Sequence, residues 1–197
     1  MWTTFVSAQG LINWANTSST LISVNGSLMP PSTSPETTYN FGLFIAPIGT
    51  AAPSGIDDPN WQFVAAYTIN STAAAGAGRM QNPGLASVAG YAPGTSANFI
   101  VRAWQSTSGG NDWTAAKSGL MALGTSTLGT GLIGGDFPPP LFAFGSNSGQ
   151  IGGFNILIPE PSSMALLGLG AAVMLLRRRR KFYRTNGEVE IKRGGDV

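Results

Sequence analysis

Carboxylates are the main side chains before residue 159 that could carry out acid–base or metal chemistry, and they are few. The 197 residues include no histidine and no cysteine, which excludes Ser-His-Asp and Cys-His catalysis and metal sites built on thiolates or imidazoles. Catalysis by paired carboxylates would need two of the few acids to converge, and their spacing does not indicate this. We therefore expect no catalytic residue, no metal site and no cofactor. The acids before residue 159 are Glu36, Asp57, Asp58, Asp112 and Asp136.

Two acidic groups remain open to a second interpretation. Asp57 and Asp58 lie close to Asn60, and Asp112 follows Asn111, so each group could offer oxygen ligands to calcium. In loops rich in glycine and proline the same residue types are common as turn formers. The sequence favours the turn interpretation.

Aromatic rings are the other side chains that could bind a ligand, because a flat exposed ring can stack on the apolar face of a sugar. Trp61 and Trp113 are the candidates for glycan contact, and Trp104 and Tyr91 could extend such a platform. Packing in a protein core is the commoner fate of large aromatic rings, above all for Trp104. Both interpretations stay open at the level of sequence.

The elements that would position these residues are short strands. Short apolar and aromatic runs alternate with clusters of glycine, proline, serine, asparagine and threonine. Alternation within the run 97–104 places Phe99 and Val101 on one face and Arg102 on the other, so we expect one buried and one solvated face. In the same way, Phe154, Ile156 and Ile158 should share one face of the last strand. The pattern predicts an all-β body, an antiparallel β-sandwich or jelly-roll-like fold, followed by a single C-terminal hydrophobic helix. The predicted strands are 10–14, 20–24, 39–46, 61–69, 97–104, 141–144 and 154–158.

Three blocks follow one another at residues 159–181: Pro159-Glu160-Pro161, an uncharged apolar run and five consecutive cations. The 13 residues of the run, 164–176, would span roughly 20 Å as a helix, short of the ~30 Å core of a bilayer. A run of this length is ordinarily a buried core helix or part of a signal. Five adjacent cations are costly to desolvate in a soluble core but lie readily among anionic headgroups, so we expect a short, temporary membrane anchor. The anchor side chains are Met164, Leu166, Leu167, Leu169, Val173, Leu175 and Leu176, and the cations are Arg177, Arg178, Arg179, Arg180 and Lys181.

The charge distribution predicts how this anchor is oriented. Cations collect on the cytoplasmic side of membrane segments, so the cluster 177–181 should stay inside while the residues before Pro159 are exported. Residues 1–158 carry three cations and five anions, a net charge of −2, and the basic pI of about 9.2 therefore belongs to the tail. A weakly acidic body argues against nucleic-acid binding.

The order of the three blocks resembles the PEP-CTERM sorting domain, which also carries the label of an ice-binding protein C-terminal domain. The resemblance covers residues 158–181 and includes Pro159, Glu160 and Pro161. It implies recognition by an exosortase-type processing enzyme of the inner membrane, which cuts near the Pro-Glu-Pro motif and releases or re-attaches the body at the cell surface. It also implies a surrounding of exopolysaccharide, a candidate partner. Family members usually end within a few residues of the basic cluster, whereas residues 182–197 continue here.

These features predict four segments and one function. Residues 1–8 are interpreted as the remnant of an export signal, 9–158 as the exported body, 159–181 as the sorting and anchor segment, and 182–197 as a cytoplasmic extension. We expect a non-enzymatic protein that is exported across the inner membrane, held as a membrane-anchored precursor and delivered to the cell surface or extracellular matrix. The alternative is a carbohydrate-binding module, which exposed coplanar aromatic rings would favour.

Overall fold

The computed structural model describes residues 9–106, 112–118 and 123–158, together with the single position 174. The chain divides into two compact units, Met1–Ile158 and Pro159–Val197. The described part of the first unit consists mainly of β-strands, which agrees with the all-β prediction. The strands are β1 (Gly10–Asn13), β2 (Ser23–Val24), β3 (Ser27–Leu28), β4 (Tyr39–Pro47), β5 (Gln62–Ile69), β6 (Leu85–Val88), β7 (Ser96–Gln105), β8 (Leu123–Thr125), β9 (Gly129–Leu132), β10 (Leu141–Phe142) and β11 (Asn155–Ile156). The helices are α1 (Trp113–Ser118) and two single 3₁₀ turns, Pro35–Thr37 and Ala74–Gly76.

Several predicted features lie outside the described residues. They are the export-signal remnant at 1–8, the Pro-Glu-Pro motif, the anchor side chains, the cation cluster and the extension at 182–197. Within the described ranges, no helix combines the length and the apolar character needed to cross a membrane.

The largest sheet is antiparallel and is built around β4 and β7. Its order is β5-β4-β7-β8, and β9 also pairs with β7. The two central strands are rich in aromatic and β-branched residues, and they pair without a break from Tyr39 opposite Gln105 to Pro47 opposite Ala97. The side chains of β4 and β7 contribute to the two apolar clusters of the body, one on each face of the sheet.

Two smaller sheets bring together the beginning and the end of the body. Their orders are β10-β1-β6 and β11-β2-β3. The pairs β1–β10 and β2–β11 are parallel, so the purely antiparallel prediction is wrong at these two places. The reason is that β10 and β11 lie more than a hundred residues after their partners, and no hairpin turn dictates their direction.

A first apolar cluster receives side chains from all three sheets. Phe41 from β4, Phe99 from β7 and Ile12 from β1 are each 0% exposed, and they pack with the last strand through Ile156. The prediction that Phe154, Ile156 and Ile158 share one face is confirmed, because the first two are buried and Ile158 packs against the same cluster.

The opposite face of β4 and β7 is also covered, so the prediction of a solvated face is wrong. A second cluster forms there from Phe44, Ile100 and Trp104, closed by Trp113 and Ala116 of α1. The helix and the loop before β5 cover this face. Arg102, predicted to face solvent, is consequently buried at 4% exposure.

Candidate functional site

The loop that contains Asp57 and Asp58 covers the second cluster. Asp58 accepts hydrogen bonds from the backbone N–H of Ser54 and of Asn60, both at 3.0 Å, and from the Asn60 side-chain amide at 2.9 Å. Asp57 accepts a 2.7 Å ion-pair contact from Lys117 of α1. The carboxylate oxygens therefore organise a turn and attach the helix, as the turn interpretation expects.

The hydrogen bonds to Asp58 also set its acidity. The backbone N–H groups of Ser54 and Asn60 hold the pKa of Asp58 below its ordinary value. At Glu36, the Ser34 hydroxyl lowers the pKa in the same direction. A general base that works at neutral pH needs a raised pKa, so these two carboxylates have the opposite of that property.

The acids within the described ranges lie singly or as the pair Asp57 and Asp58. These ranges contain no cluster of three or more acidic side chains that could enclose an ion. Asp112 accepts a 2.8 Å hydrogen bond from the backbone N–H of Thr114 at the start of α1, whereas Asn111 lies outside the described residues.

Arg102 is the most unusual polar side chain of the body. Its Nη2 donates to the carbonyl of Gly55 at 2.9 Å, and its Nη1 donates to the carbonyl of Ile56. The guanidinium lies 4.8 Å from the centre of the Phe44 ring and 5.2 Å from that of Trp113. Its Nε has no hydrogen-bond partner among the described residues. A buried cation thus holds the covering loop through main-chain oxygens and aromatic faces.

Burial and charge act on Arg102 in opposite directions. Removal from water lowers the pKa of the guanidinium, and the neighbouring carboxylates of Asp58 and Asp57 partly restore it. Neither acid forms a direct ion pair with it, since Lys117–Asp57 is the salt bridge present within the described ranges. The strand that contains Arg102 has apolar residues on both of its faces. This pattern is the sequence signal that could have revealed the burial of the arginine.

Two cavities adjoin Arg102 and Trp113. The larger, of 310 Å³, is lined by the loop at Pro53 and Ile56 and by Thr125 and Ser126 at the end of β8. The smaller, of 220 Å³, lies toward Asp57, Asp58 and Lys117. The larger volume is at the lower end of the ~300–1,000 Å³ range of small-molecule sites.

The aromatic candidates for glycan contact do not form an exposed platform. Trp61 is 7% exposed and Trp113 is 8% exposed, and Trp104 on β7 is fully buried in the same cluster. Trp113 packs at 5.0 Å from Phe44 and 5.4 Å from Trp104, measured between ring centres. Stacking on a sugar needs a free ring face, so the expected platform at Trp61 and Trp113 is corrected to core packing.

The other functional region is the end of the body, where the sorting segment begins. Ile156 of β11 is fully buried, and Ile158 donates its backbone N–H to Oδ1 of Asn25 at 2.9 Å. Pro159, Glu160 and Pro161 follow directly in the chain and lie outside the described residues. The body is therefore held in its fold up to the residue before the motif.

Comparison with known proteins identifies this second region. Residues 157–181 match the family model of the PEP-CTERM protein-sorting motif, and this range contains Pro159-Glu160-Pro161, the apolar run and the five cations. No curated protein and no solved structure matches the chain. The motif supports export and sorting by an exosortase-type enzyme through a membrane-anchored precursor. The chain thus carries a PEP-CTERM protein-sorting motif at residues 157–181.

Proposed function

We propose that this protein is a non-enzymatic component of the cell surface or extracellular matrix, in which a β-sandwich body is delivered by its C-terminal tail. The proposal depends on the match of residues 157–181 to the sorting motif. Pro159, Glu160 and Pro161 carry recognition, the run 164–176 anchors the precursor, and the cations 177–181 set its orientation.

The contacts at the end of the body support separate roles for the body and the tail. Ile156 belongs to the first cluster, and among the described residues the hydrogen bonds of the body extend to Ile158. Cleavage at or after Pro159 would remove no residue of that cluster. A folded body could therefore survive removal of the tail without loss of packing.

The acids of the body support a non-enzymatic role. The carboxylates of Asp57 and Asp58 are occupied by Lys117, Ser54 and Asn60. The pKa of Asp58 is lowered, which disfavours proton transfer at neutral pH.

Replacement of Pro159, Glu160 and Pro161 by alanine in the producing cell tests the proposal. Pulse–chase labelling should show the precursor persisting at full length, with little body reaching the surface fraction. The matched control is Pro35→Ala with Glu36→Ala, because this exposed Pro-Glu pair lies in the body. Unchanged processing in the triple variant would refute the sorting role.

A second candidate function is the binding of a small polar ligand, such as one sugar unit of an exopolysaccharide, in the 310 Å³ cavity. The observation that favours it is that a cation and an aromatic residue, Arg102 and Trp113, line one cavity together. Titration of the full chain with oligosaccharides of the producer's polysaccharide should then quench tryptophan fluorescence. Thr125→Trp, at an exposed position on the cavity wall, should abolish the change by filling the space.

A further inference from the structure

A two-residue turn near the start of the body binds the end of the body. Asn25 and Gly26 connect β2 to β3, and both have positive φ, 49° and 81°. These values match a type I′ hairpin turn, for which the Asn-Gly pair is the preferred sequence. The turn conformation is therefore fixed locally, independently of the chain that it contacts.

Besides the pairing of β11 with β2, the hairpin makes these hydrogen bonds with residues 155–158. Asn25 donates its backbone N–H to the carbonyl of Ile156 at 2.9 Å, and its Oδ1 accepts from the N–H of Ile158, also at 2.9 Å. Gly26 N–H and the Ser23 hydroxyl both donate to Oδ1 of Asn155, each at 2.9 Å. We name the Asn25–Gly26 turn with its bonds to 155–158 the C-terminal clasp.

The backbone N–H of Ile158 is the last main-chain donor before the motif. Pro159 has no backbone N–H, so Ile158 is the final residue ahead of Glu160 that can donate one. A residue before proline is also restricted to extended conformations. Asn25 thus holds the chain at the boundary between the body and the sorting motif.

Extended peptides are commonly bound through their main-chain N–H and C=O groups. The carbonyl of Ile156 and the N–H of Ile158 are two such groups, and Asn25 occupies both. Engagement of residues on the N-terminal side of the motif therefore requires the clasp to open. The fraction of time that a local segment is open then limits the rate at which it can be cut.

We propose that the Asn25 side chain is a positioning residue for processing: it sets the N-terminal limit of the segment that the enzyme can engage and slows cleavage at the motif. This inference rests on the proposed sorting function. The side chain acts through Ile158 and takes no part in the cleavage chemistry.

The test uses three variants of the full chain. Asn25→Gly removes the acceptor while keeping the positive φ without strain, and Asn25→Asp keeps an acceptor oxygen at the same position. Asn147→Gly changes an exposed asparagine in another turn and is the matched control. Thermal unfolding of each variant shows whether the body itself is intact.

Hydrogen exchange of the precursor in detergent and pulse–chase labelling in the producing cell give separate readouts. For Asn25→Gly we expect exchange of the Ile158 amide and cleavage of the precursor both to be about threefold to tenfold faster, the factor that one ordinary hydrogen bond gives. Asn25→Asp and Asn147→Gly should match the wild type in both measurements.

The results separate the two proposals. Unchanged exchange at Ile158, or faster exchange with an unchanged cleavage rate, would overturn the role of Asn25 while leaving the sorting function in place. A wild-type chain that is never cleaved would overturn the sorting function, and this inference with it.

Discussion

The body and the tail of this chain carry their information in different ways. Residues 9–158 bury two side-chain clusters on the two faces of one sheet, with contacts that join positions far apart in the sequence. Residues 159–181 place three short blocks of distinct composition in a fixed order, five consecutive cations among them. In the function we propose, the apolar run acts through its apolarity and the cations act through their charge.

This difference explains why delivery is easier to infer than activity. An ordered series of blocks can be recognised from sequence alone, and residues 157–181 match a family model. The activity of a folded body depends on which side chains the fold brings together. In this body, the charged side chains that come together make contacts that stabilise the fold. Arg102, for example, donates to main-chain carbonyls of the covering loop.

In the tail, we expect a large effect on processing when the charge of residues 177–181 is removed. Replacement of the five cations at 177–181 by glutamine removes the charge that fixes the orientation of the apolar run, and we expect processing to fall on the order of tenfold. Surface delivery and precursor cleavage measure this. The control is Lys192→Gln with Arg193→Gln, a pair of cations in the same tail outside the block. Equal loss in both variants would mean that total charge matters and the block does not.

In the body, the largest effect should come from the first cluster. Phe99→Ala removes a fully buried ring and should lower the free energy of unfolding by about 3–5 kcal/mol. Phe137→Ala, at a phenylalanine that is 90% exposed, should change it by less than about 0.5 kcal/mol. Denaturant unfolding of the full chain in detergent compares the two. Similar values for both would contradict the placement of the core.

The second cluster should show a smaller effect. Arg102→Met keeps an unbranched side chain but leaves the carbonyls of Gly55 and Ile56 without their donor, so we expect a loss of about 1–3 kcal/mol. Arg79→Met, at an exposed arginine, serves as the comparison under the same conditions. A more stable Arg102→Met protein would show that desolvation of the cation outweighs its hydrogen bonds.

The smallest effect is a pH dependence at Asp58. Because the pKa of Asp58 is lowered in the folded protein, its contribution to stability is present above the ordinary carboxyl pKa of about 3.9 and is lost as pH falls through the folded value. Thermal unfolding should therefore separate wild type from Asp58→Asn at pH 7 more than at pH 3. The reverse order would contradict the hydrogen bonds from Ser54 and Asn60.

Alternation along the sequence predicted part of the fold correctly. The common face of Phe154, Ile156 and Ile158 was predictable because it depends only on the period of a strand. The runs that became β4, β5 and β7 were predictable for their length and their aromatic content. The parallel pairing of β10 and β11 was not, since partner choice over such a separation depends on the whole fold.

The other features of the fold depend on packing between residues far apart in the sequence, so the sequence pattern did not predict them. The strand β9 has a weak signal because it contains glycine, yet a Cβ at Gly129 would lie 2.1 Å from the Phe99 ring, so the residue must be glycine. Arg102 was predicted to face solvent because α1 and the covering loop, which bury it, are not visible in the strand's own pattern. Trp61 and Trp113, the expected glycan contacts, belong to these covering elements and pack in the second cluster.

The measurement that tests the central claim most directly is the intact mass of the protein recovered from the surface fraction of the producing cell. Processing at the motif predicts a species that retains Ile156 and lacks the run 164–176 and everything after it. A surface species whose mass includes the cations 177–181 and residues 182–197 would contradict delivery by removal of the tail.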